Sequence, residues 1–256
     1  IAIFIFVKRS SDYLYFPLLN SLGFILAGIL ALWIVFRDFG VGFRMPSWNE
    51  VRDEFKGGRH IFLSTTSINF YKNNSILILG LFANNEVVGY FTIAKKLIDI
   101  LNQIAVIISQ SVYPYVTKQI IINYQKIVRF LRKVGLLIGV YTFIFGVILF
   151  AFSSKIIYIV SGNYFSASIL SLKLMAFVPM FIGINVPAVQ ILLGKGLDKK
   201  FLKAVLIGAI LDIILNFLLV PFFSYIGSCI TVITVELLVT ILLYIEALKV
   251  KKCQVF

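Results

Sequence analysis

The sequence predicts an all-α, polytopic membrane protein, and three observations carry that reading. Hydrophobic residues make up 60% of the 256 and charged residues 14%, where a soluble domain has roughly 45–50% and about 25%. Mean hydropathy is +0.99. Seven stretches carry two charges or fewer over the length a bilayer span needs, about 20 residues. They are too long for strands and lack the alternation of a membrane barrel, so helices are left to satisfy the backbone in lipid.

The elements follow in order. Residues 1–7 are apolar but too short to span. The chain does not begin with Met, and this run is expected to be part of a helix in a chain whose N-terminal portion is missing. No basic region precedes it and no cleavage site follows, so it is not read as a signal peptide. Residues 13–36 carry no charge and form the first complete span. In 37–59, Pro46 precedes Ser47 and Glu50, spaced as a capping box. Trp48, Val51 and Phe55 then share one face, which predicts a helix lying in the membrane interface. Spans follow at 60–82 (with Lys72), 97–117 (Asp99), 134–154, 174–194, 204–228 (Asp212) and 229–248 (Glu236 and Glu246). Residues 153–170 hold Ser153, Ser154, Gly162, Asn163 and Ser166 and read as an external turn with a short interfacial helix. The expected total is seven complete transmembrane helices plus part of an eighth. The last six, 60–248, are expected to form one packed lobe, separated by 37–59 from the helices before it.

Basic residues set the orientation. Loops 37–59, 118–133 and 195–203 and the segment after 248 hold 17 Lys and Arg, against 5 on the other side: Lys8, Arg9, Lys95, Lys96 and Lys155. The first group is therefore cytoplasmic, and the tail 249–256 with the C-terminus is inside. The net charge of +13 reports this bias and not a nucleic-acid partner. Cys229 and Cys253 fall on opposite sides, so no disulfide is expected. His60 is the lone histidine, which argues against a His-based metal site. No nucleotide motif is present, and no cofactor or metal is expected.

Four segments carry a family resemblance. They are His60 to Ser75 (HIFLSTTSINFYKNNS), Ile78 to Phe91 (ILGLFANNEVVGYF), Ser109 to Val116 (SQSVYPYV) and Pro17 to Phe24 (PLLNSLGF). The chain resembles the polysaccharide-biosynthesis oligosaccharide flippases, the bacterial O-antigen and capsule repeat-unit transporters. Their fold is similar to that of multidrug extruders and peptidoglycan-precursor flippases, with two six-helix lobes around a central cavity. The resemblance implies that 1–36 ends the first lobe and 60–248 is the second. It implies a bacterial inner-membrane transporter that moves an undecaprenyl-pyrophosphate-linked oligosaccharide from the inner to the outer leaflet by alternating access. Its partners would be that lipid-linked glycan, membrane lipids and other glycan-assembly membrane proteins. Pyrophosphate and sugars cannot cross hydrocarbon unaided, because each buried polar group costs several kcal/mol.

Within that frame, Lys72 is the first binding candidate, since it falls near the middle of its span with Asn69, Asn73 and Asn74 around it. An intramembrane Lys flanked by amides suits an anionic pyrophosphate, and a structural ion pair is the alternative. Asp99, Gln103 and Gln110 form a stripe on 97–117 with Tyr113 close by. These residues either line a sugar path or tie helices together. Asp212, Glu236 and Asp99 are candidates for coupling to an ion; a neutral or paired carboxyl holding helices together is the plainer reading of Asp212 and Glu236. Pro179 and Pro187 are hinge candidates, or mark static kinks. Gly135 and Gly139 form a small-residue pair for close helix packing.

A drug or cation antiporter of the same fold is the competing function. A membrane-embedded glycan enzyme would need clustered acids or histidines in a sizeable loop, and no loop here has them, so the chain is not read as an enzyme.

Overall fold

A computed structural model describes residues 15–38, 40, 42 and 44–252. Among them every regular element is a helix: α1 Tyr15–Asp38, α2 Trp48–Phe82, α3 Asn85–Gln119, α4 Tyr124–Ala151, α5 Ser153–Ser161, α6 Ser166–Met175, α7 Val178–Gly194 and α8 Asp198–Lys252. The expected partial helix 1–7, Lys8, Arg9 and Cys253 lie outside the described residues. The chain divides into two compact units, Ile1–Phe55 and Lys56–Phe256.

Among the described residues, four stretches are long and apolar enough to cross a membrane: Ser21–Asp38, Tyr124–Ala151, Ser166–Gly194 and Asp198–Val250. The segments 60–82 and 97–117 lie within α2 and α3, whose amides, hydroxyls and charges leave them less apolar. Helix α1 is apolar on every face from Leu22 to Phe36, as suits a helix whose solvent is lipid.

The capping box forms. The Ser47 N–H donates to Glu50 Oε2 (2.7 Å), and the Glu50 N–H donates to Ser47 Oγ (3.4 Å). From this start α2 runs unbroken to Phe82. A separate interfacial helix was expected here, but Gly57 and Gly58 are the weakest residues between it and the span, and they lower helix propensity without stopping a helix. The Ser47 N–H bond holds the Glu50 carboxyl below the usual carboxylate range. A lowered folded-state value means that Glu50 supports the cap fully at neutral pH and ceases to as the pH falls through that value. The Ser47 amide should therefore be protected from hydrogen exchange at neutral pH and lose protection in acid. Equal protection in wild type and Glu50→Gln would show that the carboxylate contributes nothing.

The second unit holds the packed helices. Helix α8 is a hairpin. It doubles back at Ser224, whose backbone (φ 50°, ψ −132°) leaves the helical region. Two observations establish the reversal. A Cβ at Gly227 would stand 2.7 Å from the Leu219 carbonyl, and one at Gly208 would press on Val239 Cγ2. Residues so paired about position 224 meet only if the arms 198–223 and 225–252 run antiparallel. The expected boundary at 228/229 therefore moves to 224. Pro221 precedes the turn, where it cannot prolong a helix.

The span expected at 174–194 is two helices. α6 ends at Met175 and α7 begins at Val178, with Pro179 in its first turn. Pro187 sits inside α7 and presses on α4, where a Cβ at Gly135 would be 2.5 Å from its ring. A Cβ at Gly183 would lie 3.5 Å from the Gly139 nitrogen, so α7 approaches the backbone of α4 there, while of the expected small-residue pair only Gly135 points at α7 and Gly139 points into open space. One apolar core joins α2, α3, α4, α7 and both arms of α8, and a second joins the other ends of these helices to α5 and α6. Cys229 is a free thiol buried in the second.

Candidate functional site

The site is built by two turns and the helices that leave them. The first joins α2 to α3 through Ala83 and Asn84, where Asn84 Oδ1 accepts the Val87 N–H at 3.0 Å and starts α3. Lys72 precedes the end of α2 at Phe82 by the same interval as Lys95 follows the start of α3 at Asn85. With the helical rise per residue, each stands about 15 Å along its helix from the turn. The second turn is Ser224, with Asp212 and Glu236 at equal intervals before and after it. Each of these acids is about 18 Å along its arm. Such depths are about half the thickness of a hydrocarbon core.

The four groups converge. Lys72, Lys95, Asp99, Asn102, Asp212 and Glu236 line one small cavity together with Tyr71, and its volume of about 20 Å³ is the room one water takes. Lys95 is buried and lies 3.9 Å from Asp99, one helical turn on. Glu236, also buried, is faced by Lys72, Lys95 and the Tyr71 hydroxyl. Asn74 Nδ2 donates to Asp212 Oδ2 at 2.8 Å. Asn216 Nδ2 donates to the Asp212 carbonyl (3.0 Å) and to Ser75 Oγ (3.2 Å). Asp212 Oδ1 is buried without a partner. With every group charged, two lysines meet three carboxylates, so the cavity carries a net charge of −1.

The remaining expected residues separate into two sets. Asn69, Asn73, Gln103 and Gln110 are exposed on α2 and α3. Asn73 Nδ2 donates to the Asn69 carbonyl at 2.8 Å. Asn74 is buried and serves Asp212, so it does not share their open face. Tyr113 is half-buried further along α3, outside the cavity. Gln190 Nε2 donates to the Ser109 carbonyl (2.8 Å) and hydroxyl (2.9 Å), tying α7 to α3.

Sequence reasoning missed Lys95 and Tyr71. Lys95 was assigned to an external loop because the apolar run begins at Leu97, whereas α3 begins at Asn85. Two signals marked it: the amide cap at Asn84 and the Lys95–Asp99 spacing of one turn. The same displacement deepens Glu236, which an arm starting at 229 would put only about 10 Å from the turn.

Residues 1–120 match the family described as "Polysaccharide biosynthesis protein". The chain is 30% identical over 241 residues to a "Putative O-antigen transporter" of Escherichia coli strain K12, an alignment covering 94% of the chain and 58% of that protein. It is 24% identical over 254 residues to a protein of the same description from Shigella dysenteriae, covering 96% of the chain and 61% of that protein. The chain thus spans about three fifths of the length of these relatives. No solved structure matches it.

Proposed function

We propose that this chain, a relative of the polysaccharide biosynthesis and O-antigen transport proteins and a multi-pass membrane protein, forms part of a flippase. The cargo is an undecaprenyl-pyrophosphate-linked oligosaccharide repeat unit, carried from the inner to the outer leaflet of the bacterial inner membrane. In this reading 60–248 is the six-helix second lobe of a two-lobe transporter, with seven complete spans in the chain and the C-terminus cytoplasmic.

One observation carries the proposal. Two lysines stand at mid-depth in one cavity, and α2 and α3 expose the amides Asn69, Asn73, Gln103 and Gln110 along their lengths. Exposed amides within a span are costly against lipid tails and suit a water-filled passage. The lysines offer charge to the pyrophosphate and the amides offer hydrogen bonds to sugars. Asp212 and Glu236 supply the coupling. Protonating both changes the cavity from a net −1 to +1, which favours an anionic headgroup, and releasing the protons favours its departure. Asp99 remains as the ion partner of Lys95.

The excess of carboxylates over lysines favours a second reading, a drug or cation antiporter, and one experiment separates the two. Leaflet-selective labelling of undecaprenyl-linked glycan in cells lacking the intact protein should find it on the inner leaflet. The wild-type gene should relieve this, and Lys72→Ala should lower outward transfer at least tenfold. Normal glycan export together with new sensitivity to cationic drugs would select the antiporter.

A further inference from the structure

We propose that the second unit holds a resident anionic glycerophospholipid in a groove between α4, α7 and the second arm of α8. The groove has a volume of about 530 Å³. Along α4 it runs from Tyr124 to Phe143, a length of about 28 Å, close to the full thickness of a hydrocarbon core. Its floor is apolar, formed by residues such as Pro187, Ala188 and Ile191, and its open edge carries Leu136 and Val140. A furrow of this length and chemistry accommodates an acyl chain lying beside α4.

Charge identifies the head. Arg132 is the charged residue in the lining; it is exposed and has no ion-pair partner among the described residues. Lys126, Arg129 and Lys133 share its end of α4. Lys195 brings its Nζ 5.2 Å from the Tyr124 ring, which also lines the groove. Glu246, on the arm that borders the groove, is already held by Lys200 (3.8 Å) and Lys249 (2.5 Å). The mouth is therefore cationic with its local acid neutralised, which complements a phosphodiester. The groove shares no lining residue with the cavity around Lys72 and Lys95. Its occupant is thus distinct from a cargo that must reach those lysines.

Native mass spectrometry of the intact protein carrying this chain tests the assignment, with phosphatidylglycerol, phosphatidylcholine and undecaprenyl phosphate each added at equal concentration. Phosphatidylglycerol should be retained in preference to both others. Arg132→Ala should weaken it about fivefold, the value of one basic group near an anionic lipid head. Gly139 lines the groove with nothing within 4 Å of an added Cβ, so Gly139→Leu should fill the furrow and abolish retention. Leu136→Trp serves as a second filling variant should the first lower the melting temperature in detergent. Equal retention of phosphatidylcholine, displacement by undecaprenyl phosphate, or unchanged binding in the variants would each overturn the assignment. No transport step enters the measurement, so the flippase reading and this one fail separately.

Discussion

On the flippase proposal, replacing Lys95 with methionine is expected to abolish glycan export, and it should destabilise the protein by about 3 kcal/mol. The substitution removes the buried cation that faces Asp99, Glu236 and Asp212. Breaking a buried ion pair from one side costs about 3–5 kcal/mol, because the remaining charge keeps its desolvation penalty. The lower end applies here, since Lys72 still faces Glu236 and the Asp99 side chain, 44% exposed, regains water. Export in cells and the melting temperature in detergent read the two effects. Adding Glu236→Gln to Lys95→Met should recover most of the melting temperature without export, because neutralising the acid removes the uncompensated charge but not the need for a cation. A Lys95→Met protein that melts and exports like wild type would remove Lys95 from the site.

Gly227→Leu is expected to leave no folded protein in the membrane. Any side chain at 227 meets the Leu219 carbonyl and the Val220 nitrogen, which are backbone atoms and cannot swing aside. Overpacking of this kind costs about 1–3 kcal/mol for small additions and more for a branched side chain against backbone. Ser224→Gly should act in the opposite direction. A residue with a side chain loses about 1–3 kcal/mol in holding a sparsely populated backbone region, and glycine does not. Ser224→Gly should therefore raise the melting temperature while Gly227→Ala lowers it. A melting temperature unaffected by Gly227→Ala would mean that the hairpin is looser than the geometry requires.

The apolar runs alone made the all-helical class and the uncharged spans legible. The capping box at Ser47 and Glu50 was equally plain, because a cap depends on residues three apart and nothing else. Boundaries were harder. Hydropathy reports where a helix is apolar, and α3 is already helical from Asn85, well before its apolar run begins at Leu97. That difference hid Lys95, which counted as a loop charge until the fold placed it beside Glu236. Asp212, Glu236 and Lys72 were visible as charges inside spans. Their convergence was not, since it depends on two turns, at Ala83–Asn84 and Ser224, matching in level across the lobe. Asn74 and Asn73 are neighbours in sequence and differ by about 100° around α2, enough to send one to Asp212 and the other to open space.

The single-residue reversal at Ser224 has a mechanical corollary. A fork whose tines meet at one joint, with Gly208 set against Val239 along their length, cannot slide one tine past the other. Asp212 and Glu236 stand equally far from that joint on either side, so they ride as a pair. A rigid movement of the fork would carry both acids together, leaving their level relative to each other unaltered, and would first have to break the bond from Asn74 to Asp212.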